Sequence, residues 1–413
     1  MYNIKESPYR GSKRKRFLPF ALFIYWVVLV LWQNMGDYTA KSSADVVLKT
    51  CLLIWLIFWY IFWIPTARFS YKGVLLFIIF LFSQLITFCF ETGSGLSVLV
   101  TYIFPSLFLF FSLVYGNGYK IDTAQYIIFL HCVIIVAAYS ALYALIFKTE
   151  QFLSAFSISS AYGNELTSFF VSNHEYGMYM IGGIISCILC LELRRKEIFL
   201  KKITYVLCLI LFIPNLILTF SRTSMLAMVI FLFLYFSFAG KVKGRWIFVI
   251  SVMAIVIAWL SIEPARKFIY EIILKENNMA GRDDLYALAI RYFKEGTIWQ
   301  RLFGRGISAP RAYFEMMLDH GSVHNGYLQV LLYYGIIGLG FMVYFLIHRF
   351  ISVIKIIRKD RFVGVVCLGL VVVCISLMFT NTSIIFNSPI DSFFLTMFTI
   401  IVPKYLGNGT KNK

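Results

Sequence analysis

Residues 326–347 read "GYLQVLLYYGIIGLGFMVYFLI", twenty-two positions without one charged side chain. A helix rises about 1.5 Å per residue, so such a run covers about 30 Å, the thickness of a bilayer's hydrocarbon core. The stretch is too long for a core strand and lacks the alternation of an outer-membrane barrel strand. Helix is then the one way its backbone groups are satisfied in lipid. Working outward, similar apolar runs recur at about 17–33, 46–64, 73–90, 96–115, 126–147, 175–192, 202–220, 223–239, 246–262, 363–380 and 385–403. With 60% hydrophobic and 14% charged residues, the chain reads as all-α, a polytopic membrane bundle of about twelve helices.

The first run follows "MYNIKESPYRGSKRKR" and looks like a signal sequence, yet no small-residue cleavage site follows Trp32, so it reads as a retained first span. All eight cysteines lie inside apolar runs, which implies no disulfide framework outside the membrane. Cys187 and Cys190 form a C-x-x-C within one span, with no nearby His or second pair, and read as apolar filler.

The formal net charge of +18 invites a nucleic-acid reading, which its distribution excludes. If the N-terminus is cytoplasmic, 25 of the 38 lysines and arginines fall on that side, in segments such as "RRKEIFLKK", "GKVKGR" and "RFISVIKIIRKDR". The basic excess is therefore an orientation signal, and it places both termini in the cytoplasm. The expected layout is a cytoplasmic tail at 1–16, helices 1–9 within 17–262, a large extracytoplasmic loop at 263–325, helices 10–12 within 326–403, and a tail at 404–413. The large loop holds nine basic and eight acidic residues, so it is close to neutral and long enough to be translocated. A second outer loop spans about 148–174. No internal repeat is visible, which argues against the repeat plan of many transporters.

Several polar groups stand out against this background. Arg222, in "LILTFSRTSMLAMVIF", lies between apolar runs at a turn expected to face outward, where positive-inside gives no reason for an arginine. In "MAGRDDLYALAIRYFKEGTIWQRLFGRGISAP", the spacing of Leu285, Ala289, Tyr292 and Phe293 predicts an amphipathic helix starting near Arg282, with Asp283 and Asp284 in its first turn. Gly304 and Gly306 flank Arg305 and would let backbone approach a ligand closely. Ser322 or Asn325 caps the next helix, which puts His324 at its outer N-terminus, where the macrodipole disfavours the imidazolium. A neutral imidazole there suits a general base. Gly335, Gly338 and Gly340 are small enough for another helix to pack closely. Arginines with one neutral base, and no acidic cluster of metal-binding type, point to metal-free stabilisation of a phosphate or pyrophosphate leaving group.

These residues resemble a known family. "HNGYLQVLLYYGIIG" fits the pattern H-[NSQ]-x9-G-x-x-[GTY] of bacterial O-antigen ligases and Wzy-type polysaccharide polymerases, with His324, Asn325, Gly335 and Gly338 at its fixed positions. "FSRTSM", with Ser221 and Arg222, is similar to the family's arginine turn, although Thr223 stands where members often have glycine. "GRDDLY" looks like its G-R-x-x-L segment, "RLFGRG" like its L-x-G-x-G turn, and "SNHEYGMYM", with Asn173, like the asparagine-led start of an earlier span. The resemblance covers about residues 165–345.

It implies a GT-C-like membrane glycosyltransferase, inverting and metal-independent, without cofactor, that takes a glycan from undecaprenyl diphosphate on the outer face of the bacterial cytoplasmic membrane. Carried over to matching positions, Arg222 and Arg282 would bind the diphosphate and His324 would activate the acceptor hydroxyl; Arg305 holds the variable place of its turn, and Arg301 is an equal candidate. Ser221, Asn325, Gly335, Gly338 and Asn173 would support them. Implied partners are the lipid-linked glycan donor, a glycan acceptor, membrane lipid, and a flippase and chain-length regulator of the same pathway, with no nucleic acid. The leading reading is a polymerase of oligosaccharide repeat units for O-antigen, capsule or exopolysaccharide. The sister reading is a ligase to lipid A core or another acceptor, and the rival from another class is a lipid-linked glycan flippase, which would need polar groups at mid-bilayer.

Overall fold

The computed structural model describes residues 71–93, 123–156, 165–170, 172–193, 199–239, 282–318, 323–358 and 361–380, with scattered positions in 27–106 and 246–263. Most of these residues are helical, with no strand among them. In chain order the helices are α1 (Tyr71–Cys89), α2 (Thr123–Phe147), α3 (Thr149–Phe156), α4 (Asn173–Leu193), α5 (Phe199–Leu218) and α6 (Arg222–Leu234), the last running into a π-helical turn at Tyr235–Ala239. They continue with α7 (Arg282–Lys294), α8 (Ile298–Phe303), α9 (Ser308–Leu318), α10 (Gly326–Ile357) and α11 (Arg361–Thr380).

Seven of these helices, α1, α2, α4, α5, α6, α10 and α11, fall on the third, fifth to eighth, tenth and eleventh expected spans. Four contain stretches long and apolar enough to cross a membrane, namely Tyr71–Cys89, Leu130–Phe147, Asn173–Leu193 and Gly326–Ile357. The first, second, fourth, ninth and twelfth expected spans, both tails and loop residues 264–281 fall largely or wholly outside the described residues.

Helix α4 is the central one: 78% of its most apolar window is buried, against 28% for α1. Its glycines explain why neighbours come so near. A Cβ on Gly177 would stand 2.5 Å from Ser224 Oγ on α6, and one on Gly183 would stand 2.6 Å from the Ala137 Cβ on α2 and 2.8 Å from the Phe212 ring on α5. Around this core, α11 packs on α6 and α10, and α10 packs on α1. Outward, α1 presents Leu75, Ile78, Phe82 and Leu85, and α5 presents Leu207, Ile210 and Ile213. An apolar belt of this extent suits lipid and not water.

Two helices depart from regular geometry. Pro214 lies inside α5, and Asn215 Nδ2 donates to the Leu211 carbonyl at 2.8 Å while its Oδ1 accepts from the buried Tyr176 hydroxyl at 2.7 Å. The proline removes the bond to the Ile210 carbonyl, and the Asn215 side chain adds one at the adjacent Leu211 carbonyl and ties this part of α5 to α4. Helix α10 is bent at Gly335, whose φ of 69° and ψ of −169° are open only to glycine.

Candidate active site

The turn between α5 and α6 carries Arg222. Ser221 caps α6, its Oγ accepting from Ser224 N, so Arg222 is the first helical residue and its half-buried side chain leaves from the helix N-terminus. Phe220, just ahead, has a positive φ of 49°. The turn is held from α4. Asn173 Nδ2 donates to Thr219 O at 3.0 Å, and His174 Nδ1 lies 2.8 Å from Ser221 Oγ. Asn173 thus holds the backbone of the arginine turn from α4.

His324 precedes the N-cap of α10 and also has a positive φ, 50°. Asn325 is the cap, its Oδ1 accepting from Tyr327 N at 3.0 Å and Leu328 N at 3.1 Å, while Ser322 lies outside the described residues. Left-handed backbone on a residue that is not glycine costs free energy and persists only where the surroundings impose it. Among the described residues three such positions occur, Ser168, Phe220 and His324. One of them, Phe220, adjoins the arginine turn, and another is the histidine itself.

Arg282 opens α7, half-buried, with Leu285, Ala289 and Tyr292 buried on one face as the periodicity predicts. That face packs against α10. Arg282 and His324 both lie within coulombic reach of His174. The starts of α4, α6, α7 and α10 therefore converge at one end of the bundle and bring Ser221, His174, Arg282 and His324 together.

The other two candidate arginines are engaged by the loop itself. Arg301, on α8, donates from Nε to Gly296 O at 2.8 Å and from Nη2 to Lys294 O at 2.6 Å, closing the end of α7. Arg305 donates from Nη2 to Tyr292 O at 2.9 Å, and its guanidinium lies over the Tyr292 ring at 4.0 Å. Its backbone N–H donates to the Leu332 carbonyl at 3.1 Å, just before the bend of α10.

Two of the glycines expected to admit a ligand or another helix, Gly304 and Gly335, are used on the protein's own backbone, and Gly306 lies against Glu91. A Cβ on Gly304 (φ 88°) would meet Tyr333 O at 2.0 Å, and one on Gly335 would meet Leu302 O at 2.3 Å and Gly304 N at 2.5 Å. The "LFGRG" turn and the bend of α10 are thus in backbone contact. A Cβ on Gly338 would meet Tyr334 of the same helix at 2.3 Å, and Gly340 faces open space.

Sequence reading missed Glu91, which lies just beyond α1. Its carboxylate accepts from Ile307 N at 2.7 Å and Ser308 N at 3.1 Å, the first amides of α9, and from Gly93 N at 3.1 Å and the Tyr102 hydroxyl at 2.8 Å. A carboxylate on a helix N-terminus is a favourable anion site, here filled by the protein. Burial alone would raise the pKa of Glu91, but the hydrogen bonds from Ser308, Ile307, Gly93 and Tyr102 outweigh it and hold the carboxyl below the usual carboxylate range. Thr87 also donates to Phe303 O, so α1 grips the loop twice. His174 sits inside the "SNHEYGMYM" segment, where no spacing marks it out. For α8 a signal was present: in "TIWQ", Thr297 and Gln300 form a reciprocal capping box.

Residues 206–343 match the family model described as O-Antigen ligase. The match spans Arg222, Arg282, Arg301, Arg305, His324, Gly335 and Gly338, and covers about a third of the 413 residues. No curated protein matches the chain. The family match and the order of the motifs within it both support a likeness of this part of the chain to the O-antigen ligase and Wzy-type superfamily.

Proposed function

We propose that the protein is a multi-pass glycosyltransferase of the bacterial cytoplasmic membrane that polymerises undecaprenyl-diphosphate-linked oligosaccharide repeat units into surface polysaccharide on the outer face. The observation that carries this is the meeting of the Ser221–Arg222 turn, Arg282 and His324 around His174 at one bundle end. In this reading the acceptor hydroxyl attacks the anomeric carbon of the lipid-linked sugar, and the bond from that carbon to the diphosphate oxygen breaks. Attack opposite the leaving group inverts the anomeric centre. His324 takes the hydroxyl proton as the new bond forms. Arg222 and Arg282 supply fixed positive charge where the diphosphate gains its negative charge, without a metal ion. Arg301 and Arg305, bound to loop carbonyls, keep the segment after α7 in place.

The sister reading, a ligase passing finished polymer to lipid A core or another acceptor, is favoured by the description of the matching family. The two differ in acceptor and share the chemistry. Purified protein in proteoliposomes, given lipid-linked repeat unit and EDTA, should lengthen the glycan. Arg222→Ala, Arg282→Ala and His324→Ala should each lower turnover by about 10²-fold or more. Normal chain growth by Arg222→Ala, or complete dependence on added divalent metal, would overturn the mechanism. Transfer to lipid A core without chain growth would select the ligase.

A further inference from the structure

The hydrogen bonds of Ser221 decide which nitrogen of His174 carries the proton. Ser221 Oγ accepts from Ser224 N as the helix cap, and its own hydrogen is given to Ser224 Oγ at 2.8 Å. One lone pair remains, and His174 Nδ1 is 2.8 Å away. In the arrangement where Ser221 gives its hydrogen to Ser224, Ser221 is the acceptor, Nδ1 is the protonated nitrogen and Nε2 carries the lone pair. Among the described residues Nε2 has no hydrogen-bond partner, and the side chain is half-buried at the edge of the site.

We infer that His174 is a substrate-binding residue, its Nε2 accepting a hydrogen bond from a hydroxyl of the acceptor sugar beside the one His324 deprotonates. This deepens the glycosyltransferase reading and rests on it. Three observations favour a sugar hydroxyl over the diphosphate as the ligand. A neutral Nε2 is an acceptor only, and phosphate oxygens offer no hydrogen at neutral pH. The cationic Arg282 nearby is the partner the diphosphate calls for, which leaves a neutral ring to a hydroxyl. Finally, the Nδ1 bond to Ser221 and the Asn173 bond to Thr219 fix the ring against the arginine turn, which sets the distance between acceptor hydroxyl and leaving diphosphate.

The test separates binding from support of the turn. His174→Asn places an amide N–H where Nδ1 stands and can keep the Ser221 bond, but it has nothing at Nε2. His174→Gln reaches the Nε2 position with a carbonyl oxygen. Initial rates are measured in proteoliposomes with donor saturating and the acceptor glycan varied. For His174→Asn, KM for the acceptor should rise about five- to tenfold with kcat near wild type, the size expected for one neutral hydrogen bond. His174→Gln should recover most of that loss, and the pH profile of kcat should stay where wild type has it in both. Wild-type KM in His174→Asn, or equal falls of kcat alone in both variants, would overturn the assignment. Failure of the underlying reading shows separately, as undiminished turnover by His324→Ala and Arg222→Ala.

Discussion

Exchanging the Glu91 carboxylate for an amide asks whether α1 holds the large loop in place. Both oxygens accept two hydrogen bonds: Oε1 from Gly93 N and Ser308 N, Oε2 from Ile307 N and the Tyr102 hydroxyl. In Glu91→Gln one of them becomes an NH2 that faces a backbone N–H of α9 whichever way the amide turns. An unsatisfied amide and a lost charge-assisted bond cost about 1–3 kcal/mol each; Glu91 is only partly buried, so about 2 kcal/mol is the reasonable total. That corresponds to about thirtyfold faster amide exchange for Ile307 and Ser308 if they open locally. Hydrogen exchange on the protein in nanodiscs, read in a peptide covering 304–318, measures it. The same contact should respond to acid with a definite sign. Because the folded carboxyl is depressed, the clasp is complete above about pH 4.5, the ordinary value, and weakens as pH falls through the lower folded value. Unchanged exchange of that peptide in Glu91→Gln at neutral pH would refute the clasp.

Gly335→Ala should be the more damaging change in α10. Its Cβ meets the Leu302 and Gly304 backbone, which cannot rotate away, and its dihedrals add about 1–3 kcal/mol, so a fall of several degrees in apparent Tm is expected in a thermal melt. Gly338→Ala, tested beside it, meets only its own helix at Tyr334. Arg305→Lys loses the planar stack on Tyr292 and the geometry of its carbonyl bond, costing about 1–2 kcal/mol, read as easier proteolysis near residue 305 with turnover reduced less than in Arg222→Ala. Gly177→Ala should push Ser224 away from Ser221 and lower turnover while leaving α4 and α6 folded, as circular dichroism would show.

Periodicity and local chemistry made part of this structure legible from residues alone. The buried face of α7 came from the spacing of Leu285, Ala289 and Tyr292, and the α10 cap from an asparagine ahead of an apolar run. The arginine turn was legible because a charge between two apolar runs has few reasons to be there. Long-range pairing was not legible. Glu91 meets Ile307 across 216 positions, and nothing in "FETGSG" names its partner. Gly304 read as an opening for a ligand and Gly335 as one for a neighbouring helix, because a sequence shows the missing Cβ without showing what fills the space. Arg301 and Arg305 carry the same charge as Arg222, and only coordinates show that their guanidinium groups are bound to loop carbonyls. Helix α10 runs to Ile357, ten residues past the end read from hydropathy, because apolarity marks where lipid stops and not where a helix does.

The bend at Gly335 has a mechanical effect. It divides α10 into a short segment joined to the loop through Gly304 and Arg305, and a long arm beyond it. Tilt of that arm, as a thicker or thinner bilayer would demand, is taken up at one glycine whose torsions are free to change. The imidazole stands ahead of the short segment, on the loop side of the bend, so tilt of the arm beyond Gly335 need not pass to the histidine.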